Sequence, residues 1–146
     1  MTQQERTPVG LTRDAGWQIG VSKTVDHPAH EVWAFLVSPA GTDLWLGHDV
    51  VLAAERGTRY ETREGTTGEI RSFRPQDRVR LTWRPRDADH DTVVQVVVSD
   101  SGPGRSMIRF HQERLTSARE RAHQRAHWRT VMTSLVAALD RGRPGA

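Results

Sequence analysis

Between Ser117 and Arg141 the chain contains neither glycine nor proline, and alanine, leucine and arginine dominate. Such a segment reads as one helix of roughly 24 residues. Advancing 100° per residue from Trp128 brings Met132, Leu135 and Leu139 within about 40° of it, with Val131 and Val136 alongside. A stripe of that length has to be covered by something apolar. The concave face of a sheet is the only surface large enough, so the helix predicts the sheet.

The rest of the sequence supplies one. Segments 48–54, 58–64, 67–74, 78–85, 92–99 and 105–114 read as strands, punctuated by Gly57, Gly65, Gly68, "RPQD" at 74–77, "RPRDADHD" at 84–91 and "SDSGPG" at 99–104. Connections this short predict antiparallel neighbours. In "RVRLTWRP" Val79, Leu81 and Trp83 share a face opposite Arg78, Arg80 and Arg84, so one side meets a core and the other water. Ile108 and Phe110 likewise oppose Met107, Arg109 and His111. Earlier, "WQIGVSKTV" alternates as a strand, with Trp17, Ile19, Val21, Lys23 and Val25 on one side. In "DHPAHEVWAFLVSP", Asp26 can cap, Pro28 sits near a first turn, and Val32, Phe35 and Leu36 recur at helical spacing until Pro39 stops them. "AGTDLWLG" reads as a loop or a second short helical turn, with Trp45 and Leu46 expected at the surface.

The 146 residues suit a single domain, expected over 15–141, with loose tails at 1–14 and 142–146. Cysteine is absent, which excludes disulfides, thiolate metal sites and cysteine nucleophiles. No run of about 18 apolar residues exists, and "MTQQERTPVG" lacks the apolar segment of a secretory signal, so a soluble cytoplasmic protein without membrane contact is expected. The 21 basic and 18 acidic residues are interspersed. Nucleic-acid readers concentrate positive charge instead, and no such partner is expected.

"RERAHQRAHWR" at 119–129 places His123 and His127 four residues apart, at roughly 220° and 260° on the wheel, off the apolar stripe. The pair is compatible with zinc, but a site needs a third ligand and no H-E-x-x-H is present, so no metal or other cofactor is expected. Arg121, Gln124 and Arg125 fall on the core side instead. There the stripe turns polar, and the helix either overhangs the sheet into water or roofs a cavity with a polar mouth. In the second case Arg121 is the candidate for meeting an anionic or carbonyl group, because its planar fork donates two parallel hydrogen bonds.

Three blocks, "VDHPAHEVWAFLVSPAGTDLWLG", "GEIRSFRPQDRVRLTWRP" and "IRFHQERLTSARERAHQRAHWRTVMTSLVAAL", resemble those of the START/pollen-allergen (SRPBCC) superfamily. Within it, they are similar to bacterial homologues of the C-terminal domain of activators of the heat-shock protein 90 ATPase. The resemblance covers about residues 15–140. It implies an α+β helix-grip fold: a curved antiparallel sheet of about seven strands wrapped around the long C-terminal helix, with two short helices after the first strand and a cavity between them.

The matching lining positions are Trp33, Trp45, Tyr60, Phe73, Trp83, Phe110, Trp128 and Met132, and Arg121 with Gln124 would orient a guest's polar end. Core filling is the alternative role for each aromatic. The implied function is binding of a small apolar or amphipathic molecule. The alternatives are a co-chaperone stimulating a heat-shock protein 90-type ATPase, and a cavity enzyme of the polyketide cyclase or dehydratase kind. Catalysis would call on His30, His48 or His111 beside Arg121, and no recognisable catalytic signature joins them. His48 would border the entrance with Asp49 as its only orienting carboxylate. A monomer is compatible with these features, and so is a homodimer using Trp45, Leu46 and the outer sheet face.

Overall fold

Turns of a few residues join most of the strands in the second half of the chain, and such turns return a strand beside the one it left. A computed structural model describes residues 11–12 and 16–142. The elements are β1 (Leu11–Thr12), β2 (Gly16–Val25), α1 (Ala29–Val37), α2 (Pro39–Trp45), β3 (Arg59–Glu61), β4 (Thr67–Arg74), β5 (Arg78–Trp83), β6 (Thr92–Asp100), β7 (Ser106–Leu115) and α3 (Ala118–Arg141). All seven strands form one antiparallel sheet in the order β1-β2-β7-β6-β5-β4-β3. The excursion through α1 and α2 therefore carries the chain from one side of the sheet to the other. β1 extends the sheet into the stretch expected as a tail; residues 1–10, 13–15 and 143–146 lie outside the described residues.

Alternation sets the inner face. Val79, Leu81 and Trp83 of β5 pair with Val96, Val94 and Thr92 of β6, and all six are buried. On α3, Trp128, Val131, Met132, Leu135 and Leu139 are buried against this face. The helix starts where its capping chemistry dictates: the Ser117 hydroxyl accepts the Glu120 N–H (3.0 Å), and the Glu120 carboxylate reaches back to the Thr116 N–H (2.7 Å). At its far end Asp140 Oδ1 lies 2.7 Å from Nε2 of buried His27, whose carbonyl accepts the Ser106 hydroxyl at 2.8 Å. Helix, β2–α1 turn and β7 are thereby tied at one point.

Two expectations are corrected. Residues 48–54 form no strand; Val50 is buried while Val51 is 89% exposed, and the run serves as a loop between α2 and β3. Trp45 and Leu46 are not at the surface but 2% and 7% exposed, because the Trp45 indole turns inward to donate to the Leu36 carbonyl (2.9 Å). The apolar patch they were expected to offer a second copy does not exist.

The eight-residue β5–β6 loop is pinned on α3 by His90, whose ring nitrogens lie 2.7 Å from Asp89 Oδ1 and 2.9 Å from Glu120 Oε2. The Asp89 carboxylate, helped by Glu120, raises the His90 pKa above its ordinary value. A raised folded-state pKa favours the imidazolium in the fold. The clamp is therefore complete below about pH 6.5, the ordinary histidine value, and is lost as pH rises through the raised one. Amide exchange in 86–91, corrected for intrinsic rate, is expected to accelerate across that window in the wild type and to stay level in His90→Gln.

Candidate functional site

Aromatic side chains gather on the inner face. Phe110 on β7 stacks on Trp128 of α3 with ring centroids 4.7 Å apart and planes at 17°. Trp83 lies 6.0 Å from Trp128, and Trp45 lies 6.1 Å from Phe110. Trp33 of α1 meets Phe73 of β4 edge-on at 5.7 Å. Trp33, Trp45, Tyr60, Trp83, Phe110, Trp128 and Met132 are all buried, and Phe73 is partly so. Six of these residues form two aromatic groups, Trp33 with Phe73 and Trp45, Phe110 and Trp128 with Trp83, while Tyr60 stands in neither.

Through the larger group runs a polar seam that alternation alone did not reveal. Trp128 Nε1 donates to Gln112 Oε1 (2.8 Å), Gln112 Nε2 donates to Thr92 Oγ1 (2.9 Å), and the Thr92 hydroxyl donates to the Trp83 carbonyl (3.0 Å). Gln112 is fully enclosed and Thr92 is 3% exposed. Each link satisfies a group whose burial would otherwise be unfavourable. The only sequence signal was that Gln112 stands two residues after inward-facing Phe110.

One turn nearer the start of α3 the satisfaction fails. Trp83 Nε1 and Gln124 Oε1 are both shut away from solvent without a hydrogen-bond partner. Gln124 precedes His127 and Trp128 by three and four residues, so it shares their side of the helix. The Trp83 ring contacts both of those residues. Arg121, paired with Gln124 in the sequence reading, is engaged elsewhere: its Nε donates to the Gln18 carbonyl on β2 (2.8 Å). His123 and His127 are exposed. The His127 ring nevertheless leans on Trp83 with centroids 6.0 Å apart, and this partial burial, with the charge of His123, lowers its pKa.

Two concavities touch the expected lining. A groove of about 490 Å³ between β2 and α3 reaches Val21, Lys23, Met132, Val136 and Asp140. Another of about 510 Å³ lies beside Tyr60. The Tyr60 hydroxyl donates to the Thr82 carbonyl (2.6 Å) and the ring lies over Gly68; burial, with the charge of Asp91, drives its pKa far above the usual phenol value. Among the histidines weighed for catalysis, His48 is exposed and its carboxylate partner is Glu64 (2.7 Å), not Asp49, which binds Arg63 instead. The His48 backbone and ring hold the Glu64 pKa down to about 2. His111 faces the outer side, bonded to Gln18 Oε1 (2.8 Å), and His30 is exposed on α1.

A long helix seated on a seven-stranded antiparallel sheet, with two short helices closing one end, is the helix-grip architecture of the SRPBCC superfamily. The model of the family described as Activator of Hsp90 ATPase homolog 1-like protein matches residues 26–140, and the chain belongs to that family. Three solved structures show the same fold. DynU16, a protein of the dynemicin biosynthetic locus, is 21% identical over 87% of this chain, which spans only 48% of DynU16, with a TM-score of 0.72. CalU16 from Micromonospora echinospora is 17% identical over 84% of this chain and 74% of its own, with a TM-score of 0.71. The Aha1 dimer from Colwellia psychrerythraea is 16% identical over 86% and 98%, with a TM-score of 0.65. At these identities the likeness concerns fold alone. No curated protein matches the chain by sequence.

Proposed function

We propose that this chain is a cytoplasmic, non-catalytic binding protein for a small amphipathic molecule, taken up under the first half of α3. The observation that carries this reading is the pair of unpartnered groups, an indole donor on Trp83 and an amide acceptor on Gln124, both enclosed beside an aromatic wall. Each group buried unsatisfied costs about 1–3 kcal/mol. A guest hydroxyl answers both chemistries, since it accepts from the indole and donates to the amide. The apolar remainder of such a guest would lie along Trp83 and Trp128.

The test is tryptophan fluorescence with a medium-chain primary alcohol, 1-octanol, beside 1-chlorooctane, which lacks the hydroxyl. The expected result is saturable quenching with the alcohol binding at least about tenfold tighter, and loss of that preference in Gln124→Leu. The same substitution removes an unsatisfied acceptor, so it is expected to stabilise the unliganded protein by about 1 kcal/mol in urea unfolding. Equal responses to the two probes, or a preference that persists in Gln124→Leu, would overturn the proposal.

A second reading rests on the family description: stimulation of a heat-shock protein 90-type ATPase. A rise in ATP turnover of a purified bacterial chaperone of that type on adding this chain supports it, and an unchanged rate counts against it.

A further inference from the structure

The outer face of the sheet gathers what the sequence scatters. Arg71 on β4, Arg80 on β5, Arg114 on β7 and Arg56 from the loop before β3 line one concavity of about 470 Å³, together with Thr82 and Asp91. Its floor includes Val93, which is 8% exposed although it points away from the core.

Two of these arginines stand where a strand carries one residue too many. Between Ile70 and Ser72, β4 advances two residues while β5 advances one, from Leu81 to Arg80, so Arg71 is the extra residue. Between Trp17 and Ile19, β2 advances two while β7 advances three, from Leu115 to Gln112, and Arg114 in that step has φ = 68°. A left-handed backbone is unfavourable for arginine, and a bulge re-aims the side chain it carries. Both bulges deliver a guanidinium to the same hollow.

The charges there do not cancel. Arg80 is paired with Glu113, and Arg71 with Glu69 at 3.3 Å. Asp91 lies 3.9 Å from Arg84. Arg56 and Arg114 have no ion pair among the described residues. Two cations are left over, and the Thr82 hydroxyl, which already accepts the Glu69 N–H (2.9 Å), still has a proton to donate.

We infer that this hollow is a binding site for a phosphate monoester carried on a small molecule. The two surplus positive charges match the charge of about −1.5 to −2 that such a group bears near pH 7. Guanidinium forks suit its oxygens. The volume is that of a small-molecule pocket and not of a broad, flat docking face. This site lies on the opposite side of the sheet from the proposed amphipathic pocket and stands or falls independently of it.

The test is a titration of the full chain at fixed ionic strength, reading arginine Nε–Hε resonances by NMR. The probes are phenyl phosphate, inorganic phosphate and, as a dianion of similar charge, sulfate. Phenyl phosphate is expected to saturate, shifting Arg56, Arg71, Arg80 and Arg114 together, with the ester binding more tightly than inorganic phosphate and sulfate the weakest. Arg56→Gln, a substitution in an exposed loop, and Arg114→Asn, whose new residue tolerates the left-handed backbone, are each expected to weaken phenyl phosphate about tenfold, the loss of one charge-assisted contact. Equal affinity for sulfate and phenyl phosphate would show a non-specific basic patch and overturn the inference. So would unchanged affinity in folded Arg56→Gln, or a surface that ignores all three probes yet binds an acidic protein partner.

Discussion

Trp128→Ala is expected to lower the free energy of unfolding by about 3–5 kcal/mol, the range for deleting a large aromatic side chain from a core. Three losses add. The Phe110 ring loses its stacking partner at 4.7 Å, Trp83 loses its neighbour at 6.0 Å, and Gln112 Oε1 is left enclosed without a donor. The last contribution can be isolated. Trp128→Phe keeps most of the apolar surface but not the N–H, so it is expected to cost about 1–3 kcal/mol beyond its volume change. Adding Gln112→Leu is expected to return part of that, because removing both partners of a buried bond leaves fewer orphans than removing one. Urea unfolding with an unchanged slope measures all three variants. If Trp128→Ala costs under about 1 kcal/mol, the helix is not seated as described.

Gly68→Ala is expected to be nearly as damaging, for the opposite reason. A Cβ at residue 68 would stand 1.9 Å from the Thr82 carbonyl oxygen and 2.5 Å from the Tyr60 hydroxyl. The backbone oxygen cannot rotate away, so β4 and β5 must part locally, at a cost of about 3 kcal/mol for an overpacked site. Tyr60 reports the result by itself, since it is the chain's one tyrosine. In the wild type its buried phenol resists ionisation well past the ordinary value near 10. In the variant the ring is displaced toward water, and absorbance of the phenolate is expected to rise near pH 10 while the protein is still folded. A wild-type phenol that titrates near 10 before unfolding would contradict the described packing.

The sequence was most legible where period and burial coincide. The apolar stripe of α3 needs only the 100° step from Trp128, and Ser117 with Glu120 marks its start. In β5 the alternation of Arg78, Arg80 and Thr82 with Val79, Leu81 and Trp83 declared both faces at once. Legibility failed where placement depends on a partner. "HDVVLAA" offers a short apolar run, which periodicity cannot assign, and it is a loop anchored on the core by buried Val50 and partly buried Leu52. Trp45 looked exposed because nothing local shows that the Leu36 carbonyl would be waiting for its indole. Gln112 is polar at an inward position, and its role becomes visible only once Trp128 stands opposite. Bulges belong to a pair of strands and not to either one, so the convergence of Arg71 and Arg114 could not be read from the residues alone.

The chain of donors from the Trp128 indole through Gln112 and Thr92 to β5 also restricts how the molecule can deform. A helix held only by greasy contacts can roll about its axis or slip by a residue, and a binding protein built that way adjusts its interior freely. Here either motion would strand a carboxamide in the dry interior, while Asp140 and His27 fasten the trailing end. Under the proposed uptake of a guest, room would come from lifting the leading turns, where the fastenings are Arg121 on the Gln18 carbonyl and Glu120 on His90. In that proposal the trailing end serves as the pivot, and the His90 contact at the leading end is the one that loosens as pH rises.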